Sequence, residues 1–356
     1  MPLKALKALR GGGSRIMKRF THTYDSIITI EKLLKAWQEF VCDKKDRKDV
    51  ILFQAKLMDN IFDLYNDLKN RTYKHGEYFA FNISDPKPRE IHKATVRDRL
   101  IHHLIYQELC TYFDSKFIHD SYSCRLNKGT HKAVNRFRDF SRIVSKNNTK
   151  TCFVLKCDIR KFFANIDHEI LKSILSRTVL DTDVLWLLEQ VIDSFRENPI
   201  GIAYGVTHMR DSVNVYRGLP LGNLTSQLLV NIYMNDFDQY VKRELKVKYY
   251  IRYADDFVIL HNIKTELENL LPKISEFLEQ KLKLQLHPDK LYIKTIASGV
   301  DFLGWVSFPQ HRVLRTTTKN RMLKNLAQSP KEESRQSYLG MLSHGDAYKL
   351  SLKILE

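Results

Sequence analysis

Two adjacent carboxylates, Asp255 and Asp256, lie inside Tyr249-Tyr250-Ile251-Arg252-Tyr253-Ala254-Asp255-Asp256-Phe257-Val258-Ile259-Leu260. Apolar, β-prone runs on both sides read as strand, tight turn, strand. The acids therefore sit at a hairpin tip, where they repel each other unless something positive lies between them. Hard divalent cations prefer oxygen ligands and suit such a place. An isolated Tyr-x-Asp-Asp is more often an exposed acidic turn, so a second acidic site matters. Cys152-Phe153-Val154-Leu155-Lys156-Cys157-Asp158 is an apolar strand that delivers Asp158 at its end, and Phe162-Phe163 follows shortly after. If the two strands lie side by side, Asp158 and Asp255 converge on a pair of cations and Asp256 completes the negative pocket. Two ions roughly 3.5–4 Å apart activate a 3′-hydroxyl and steady a leaving pyrophosphate during in-line displacement. The chemistry indicated is nucleotidyl transfer.

Bulk properties agree. The 356 residues carry 58 Lys+Arg against 41 Asp+Glu, a formal charge of +17. That excess favours a polyanionic partner bound in a salt-dependent way, although charge alone is equally met by a basic soluble surface. At 43% hydrophobic the chain can bury a substantial core divided into two or three subdomains. No apolar run has the length of a membrane span and no secretory signal is visible. Cysteines 42, 110, 124, 152 and 157 show no zinc spacing, so reduced thiols in a cytoplasmic protein are expected.

The elements that must position these acids are partly legible. Residues 1–20 read as a flexible basic tail, with Gly11-Gly12-Gly13-Ser14 as linker composition and Met17 as a candidate natural start. Leu57, Met58, Ile61, Phe62, Leu64, Tyr65 and Leu68 recur at helical spacing. Asp85-Pro86-Lys87-Pro88 marks a turn, and Val96 to Phe113 returns to helix. His92, His102, His103 and His119 lack a matching set of ligands and are expected to be packed or solvated. Asp181 to Phe195 is helical, with Asp181 or Thr182 as cap. Asn198 to Arg217 reads as loop and turn, and Thr225 to Leu245 as a helix begun by Thr225 or Ser226. Leu267, Leu270, Leu271, Ile274, Phe277, Leu278 and Leu282 form an apolar stripe. Leu291 to Ile293 and Val300 to Phe308 read as short strands. From Arg312 to Glu356, nine Lys/Arg face four acids, which fits a nucleic-acid-holding element or a solvated basic helix. Helices alternating with antiparallel hairpins predict an α+β fold with a palm-like core.

Asp158, the Tyr253-Ala254-Asp255-Asp256 box, Gly218-Leu219-Pro220-Leu221-Gly222-Asn223-Leu224-Thr225-Ser226-Gln227, His287-Pro288-Asp289-Lys290 and Phe302-Leu303-Gly304-Trp305 occur in the order of reverse-transcriptase motifs. The resemblance covers roughly residues 80–345 and is specific as an ordered set. Within that family the chain is most similar to reverse transcriptases of bacterial and phage diversity-generating retroelements, members of the superfamily shared with group II introns and retrons, which implies a bacterial or phage-encoded protein. The Leu221-to-Gln227 segment and Ser337 to Gly345 carry that narrower likeness.

The resemblance implies a right-hand polymerase fold: fingers after an N-terminal extension over 21–120, a palm with a finger insertion over 121–308, and a small helical thumb over 309–356. It implies Asp158, Asp255 and Asp256 as palm carboxylates, with the Ile159 carbonyl assisting at one of two Mg²⁺ ions, for which Mn²⁺ can substitute. Lys87 and Arg89 resemble finger residues that grip the incoming triphosphate through charge-assisted bonds; by themselves they read as a solvated basic turn. Arg97 and Arg99 are expected to pair with Asp98 or other acids. Phe163 falls at the sugar gate, whose ring clashes with a 2′-hydroxyl, while Phe162 reads as core. Lys290 resembles a general acid for pyrophosphate. Leu303, Gly304 and Trp305 resemble the primer grip, although Trp305 also reads as simply packed. Leu221, Gly222 and Gln227 fall at the deoxynucleotide site. Most relatives carry glutamine where Leu221 stands, and losing that amide predicts weaker discrimination between right and wrong pairs.

The resemblance further implies error-prone, adenine-mutagenised cDNA made from a template-repeat RNA and dNTPs. A small basic accessory variability protein, single or oligomeric, is its implied partner. A retron-like or group II intron-like enzyme of ordinary fidelity is the nearest alternative. A metal-dependent nuclease and a non-catalytic RNA-binding protein stand in other classes.

Overall fold

The computed structural model describes residues 19–84, 88–195, 216–329 and 331–355. Residues 1–18 of the expected tail, 85–87 of the expected turn and 198–215 of the expected loop lie outside the described residues. Phe20, placed in that flexible tail, is instead buried in the core, its amide donating to the Thr178 carbonyl at 3.2 Å.

Helices α1 (Tyr24–Ile27), α2 (Ile30–Val41), α3 (Lys48–Gln54) and α4 (Leu57–Lys69) open the chain and lead into a hairpin of β1 (Phe79–Ile83) and β2 (Arg89–Lys93). Next come α5 (Val96–Asp114), α6 (Thr130–Val144), β3 (Phe153–Asp158), α7 (His168–Ser176), α8 (Thr182–Ile192) and α9 (Leu224–Gln239). The second half holds β4 (Tyr250–Tyr253), β5 (Asp256–His261), α10 (Lys264–Leu282), β6 (Tyr292–Thr295), β7 (Val300–Phe302), β8 (Trp305–Ser307) and β9 (Arg312–Leu314). Helices α11 (Thr316–Gln328), α12 (Glu332–Leu342) and α13 (Tyr348–Leu355) close it.

The central sheet has the order β4-β5-β3-β6, antiparallel throughout. Successive side chains of a strand point to opposite faces, and here both faces are covered. Leu155, Cys157, Tyr250, Phe257 and Ile259 join a core built with α2, α5, α9 and α10. Cys152, Val154, Ile251, Val258 and Leu260 join a second core with α6, the β7–β8 hairpin and the closing helices. This double burial explains why β3 and β5 are near-continuous apolar runs rather than alternating ones.

Two helix starts follow from local chemistry. The Asp181 carboxylate accepts from the Asp183 and Val184 amides at 3.0 and 3.1 Å, capping α8 as its residue type favours. The helix expected to start at Thr225 or Ser226 instead begins at Leu224 after Asn223. Thr225 is engaged elsewhere: its buried hydroxyl meets His102 Nδ1 at 2.5 Å. Helix α9 then runs into a π turn over Tyr240–Glu244, close to the expected end. No helix among the described residues is long and apolar enough to cross a membrane.

Candidate active site

The register between β3 and β5 sets Asp158 directly opposite Asp256. Across the β4–β5 hairpin Tyr253 faces Asp256, leaving Ala254 and Asp255 as the turn. Ala254 has φ +54°, a left-handed conformation that tight hairpin turns require and that alanine takes at some cost. The Ile159 amide donates to the Asp255 carbonyl at 3.2 Å and the His287 amide to the Asp158 carbonyl at 2.8 Å. The chain leaving β3 is thereby stitched to the hairpin on one side and to the segment before Lys290 on the other.

Two lysines partly neutralise this cluster of three carboxylates. Lys290 Nζ donates to Asp158 Oδ1 at 2.8 Å, and the buried Lys156 donates to Asp256 Oδ1 at 2.7 Å. Burial, with the charges of Asp158 and Asp256 adding, pushes the Asp255 carboxyl up to about 6; Lys290 and a backbone hydrogen bond oppose the rise. Burial also raises Asp256, helped by Asp158 and Asp301 and resisted by Lys156. These groups carry more negative charge than their surroundings favour, a deficit that a cation relieves. As the side chains stand, no group of three His, Cys, Asp or Glu among the described residues forms a ready cage. The lysines hold one oxygen each of Asp158 and Asp256, which leaves each carboxylate a second oxygen. An all-oxygen donor set on rigid strands fits a hard divalent ion such as Mg²⁺.

The hairpin rests on a support that the sequence reading passed over. Arg252, fully buried, makes a two-pronged pair with the equally buried Asp238 of α9, with Nε–Oδ1 at 2.8 Å and Nη2–Oδ2 at 2.7 Å. Its remaining donors reach Asn231 Oδ1 at 3.2 Å, Ser121 Oγ at 3.2 Å and the Ala254 carbonyl at 3.1 Å. The Tyr250 hydroxyl adds a 2.7 Å bond to Asp238. One guanidinium thus ties the acidic turn to α9. The signal was a lone arginine within a strand and two polar residues, Asn231 and Asp238, seven apart on the buried face of α9.

The other candidates fall in three places. Phe163 opens a short 3-10 turn, half-buried against the buried Phe162 at 5.6 Å between ring centroids. The Phe163 carbonyl accepts from the Leu219 amide at 2.9 Å, joining this turn to the Leu221 segment. The Leu221 carbonyl accepts from the His92 amide at 2.9 Å, and Asn223 donates to the His92 carbonyl at 2.9 Å. Gly222, at φ +107°, lies so close to β2 that an added Cβ would stand 2.7 Å from Ile91 Cγ2. This segment is therefore fastened to the strand whose first residue is the exposed Arg89. Gln227 is exposed in the first turn of α9, and Lys87 lies outside the described residues.

Leu303 and Gly304 form the β7–β8 turn with φ +53° and +88°, and Trp305 is 2% exposed, packed inside the second core. Arg97 and Arg99 pair with Asp67 and Asp49, whereas the buried Asp98 accepts from Tyr73 and Thr95. Among the expected non-ligand histidines, His102 contacts His75 at 3.1 Å and His103 packs on Phe40.

The family described as reverse transcriptase (RNA-dependent DNA polymerase) matches residues 82–307. Protein YkfC of Escherichia coli K12 is 25% identical over 284 residues, 71% of this chain and 70% of YkfC. The group II intron-encoded protein LtrA of Lactococcus lactis subsp. cremoris is 21% identical over 312 residues, 69% of this chain but 49% of LtrA. Among solved structures, an apo telomerase from Candida tropicalis truncated from its C-terminal domain gives a TM-score of 0.49 at 13% identity, covering 72% of this chain and 60% of that one.

Proposed function

We propose, for a chain that belongs to the reverse transcriptase (RNA-dependent DNA polymerase) family, that it copies an RNA template into DNA with low fidelity at template adenines, as the enzyme of a diversity-generating retroelement. The observation that carries the catalytic part is the register of Asp158 against Asp256 beside Asp255. Asp158, Asp255 and Asp256, with the Ile159 carbonyl, would hold two divalent ions, Mg²⁺ or Mn²⁺, which supply activation of a primer 3′-hydroxyl and neutralisation of the leaving pyrophosphate.

The chain's own groups do the rest. Lys290, oriented by Asp158 at 2.8 Å, donates a proton to the departing pyrophosphate. Arg89 and Lys87 grip the triphosphate of an incoming dNTP. The Phe163 ring, braced by Phe162, excludes a ribose 2′-hydroxyl. On this reading residues 21–120 act as extension and fingers, 121–308 as palm and 309–356 as thumb. A small basic accessory protein completes the assembly.

Leu221 supports the mutagenic part. Its backbone is fixed by His92, so its side chain occupies a set place beside the fingers strand yet offers no hydrogen bond. An amide there contributes about 1 kcal/mol of discrimination, several-fold in selectivity. A group II intron-like enzyme of ordinary fidelity is the second reading, favoured by what LtrA is named. Primer extension on an RNA template with dNTPs and Mg²⁺, followed by product sequencing, separates the two. Leu221→Gln is expected to lower misincorporation opposite adenine about fivefold. An error spectrum unchanged by the substitution would remove Leu221 from the account, and accurate wild-type copying would favour the second reading.

A further inference from the structure

A cavity of about 490 Å³ opens between α6, the β8–β9 hairpin and the turn joining α12 to α13. None of the active-site candidates named above lines it, and its size lies within the range of small-ligand pockets. Three lining residues carry buried polar atoms without a hydrogen-bond partner: Asn135 Oδ1, Ser307 Oγ and Arg312 Nη1. Ser307, 5% exposed, stands directly across the hairpin from Arg312. Unsatisfied buried polar groups are uncommon and costly in folded proteins, and three of the nine such side-chain atoms among the described residues belong to residues that line this one cavity.

The chemistry of a ligand for these atoms follows from the donors. Arg312 and Ser307 offer hydrogens to an anion, while Asn135 Oδ1 accepts one from a hydroxyl. Arg138, Arg142 and Arg312 oppose a single lining carboxylate, Asp346, so the cavity is positive. Burial, with the nearby Arg138 charge, lowers the Arg312 pKa, and Asp139 only partly offsets this. A neighbouring negative charge relieves both costs.

We propose that this cavity binds one ribonucleotide unit of the bound RNA, with its phosphate on Arg312 and Ser307 and its ribose 2′-hydroxyl on Asn135. Arg138 and Arg142, exposed at the mouth, meet the adjoining phosphates, which favours a continuous strand over a free nucleotide. A 2′-hydroxyl contact is also what separates RNA from DNA. The source of the ligand rests on the RNA-templated reading above, but the contacts do not involve its catalytic acids.

The test measures binding of a single-stranded RNA 20-mer and of its DNA counterpart by fluorescence anisotropy, without metal or dNTPs, so its outcome is independent of polymerase activity. Ser307→Ala is expected to weaken RNA binding about fivefold and leave Tm unchanged or higher, because an orphan buried hydroxyl has been removed. Asn135→Ala is expected to weaken RNA binding similarly and leave DNA binding unaltered. RNA affinity unchanged in both variants overturns the proposal. So does an equal loss for RNA and DNA in Asn135→Ala, which would leave a phosphate site without ribose recognition. Stabilisation of the protein by adenosine monophosphate with RNA affinity constant across the variants would assign the cavity to a free nucleotide, against the proposal.

Discussion

Asp158→Ala is expected to lower primer extension on RNA by at least about a thousandfold, equivalent to roughly 4 kcal/mol of transition-state stabilisation, while changing RNA affinity less than about twofold. The side chain is 12% exposed and has Lys290 as its ion-pair partner. Its loss removes oxygen ligands from the proposed ion site and leaves one surface-reachable lysine unpaired, a small structural change because Lys290 is 44% exposed. Asp158→Asn keeps the shape and should lose as much activity, since a neutral amide binds divalent cations poorly. Single-turnover extension and RNA anisotropy on the same preparations decide the matter. Equal loss of extension and RNA binding would mean that Asp158 acts through structure, and extension retained near the wild-type rate would take it out of the catalytic set.

The second large effect is on stability. Arg252→Ala strips the fully buried Asp238 carboxylate of its countercharge and leaves it the Tyr250 hydroxyl as a neutral donor. Removing one partner of a buried ion pair costs about 3–5 kcal/mol, a large share of the 5–15 kcal/mol that holds a typical domain folded. The Ala254 carbonyl loses its donor as well, so the acidic turn should loosen. Arg252→Met combined with Asp238→Leu replaces both charges by apolar groups and should recover part of the loss, because the desolvation of the charges disappears while the buried Tyr250 hydroxyl loses its acceptor. Urea unfolding of the single and double variants provides the comparison. An Arg252→Ala variant within about 1 kcal/mol of wild type, a normal surface-substitution effect, would show that the pair does not hold the hairpin.

Much of the central site was legible because its acids sit where apolar runs stop. A strand that reads Phe153-Val154-Leu155 and another that reads Phe257-Val258-Ile259-Leu260 pair in the interior and deliver Asp158 and Asp256 to the same edge. Helices α4 and α10 were legible from periodicity, α8 from periodicity with its cap, and α5 from its composition. What escaped was what the interior does with charge. Lys156, Arg252 and Asp238 interrupt apolar patterns, and their meaning lies in partners far along the chain: residue 156 with 256, and 252 with 238. Periodicity reports which face is buried and not which buried charges meet.

The β1–β2 hairpin was missed for a different reason. Phe79, Phe81 and Arg89 are exposed, so burial alternation, the usual mark of a strand, is absent there. Helix α6 carries a readable stripe at Ala133, Val134, Phe137 and Phe140, which the sequence reading did not use. The cavity beside it joins α6 to residues near 307–312 and 343–346, three segments whose meeting no local pattern announces.

The most direct measurement of shared ion binding is Fe²⁺-directed hydroxyl-radical cleavage of the protein, with Mg²⁺ as competitor. Iron held by Asp158, Asp255 and Asp256 should cut the backbone at two places distant in sequence, near residue 158 and near residues 254–256. Both cuts should fade together as Mg²⁺ is added and vanish in Asp158→Ala. Cleavage at one segment without the other, or cuts elsewhere that Mg²⁺ does not suppress, would contradict a common site for the three carboxylates.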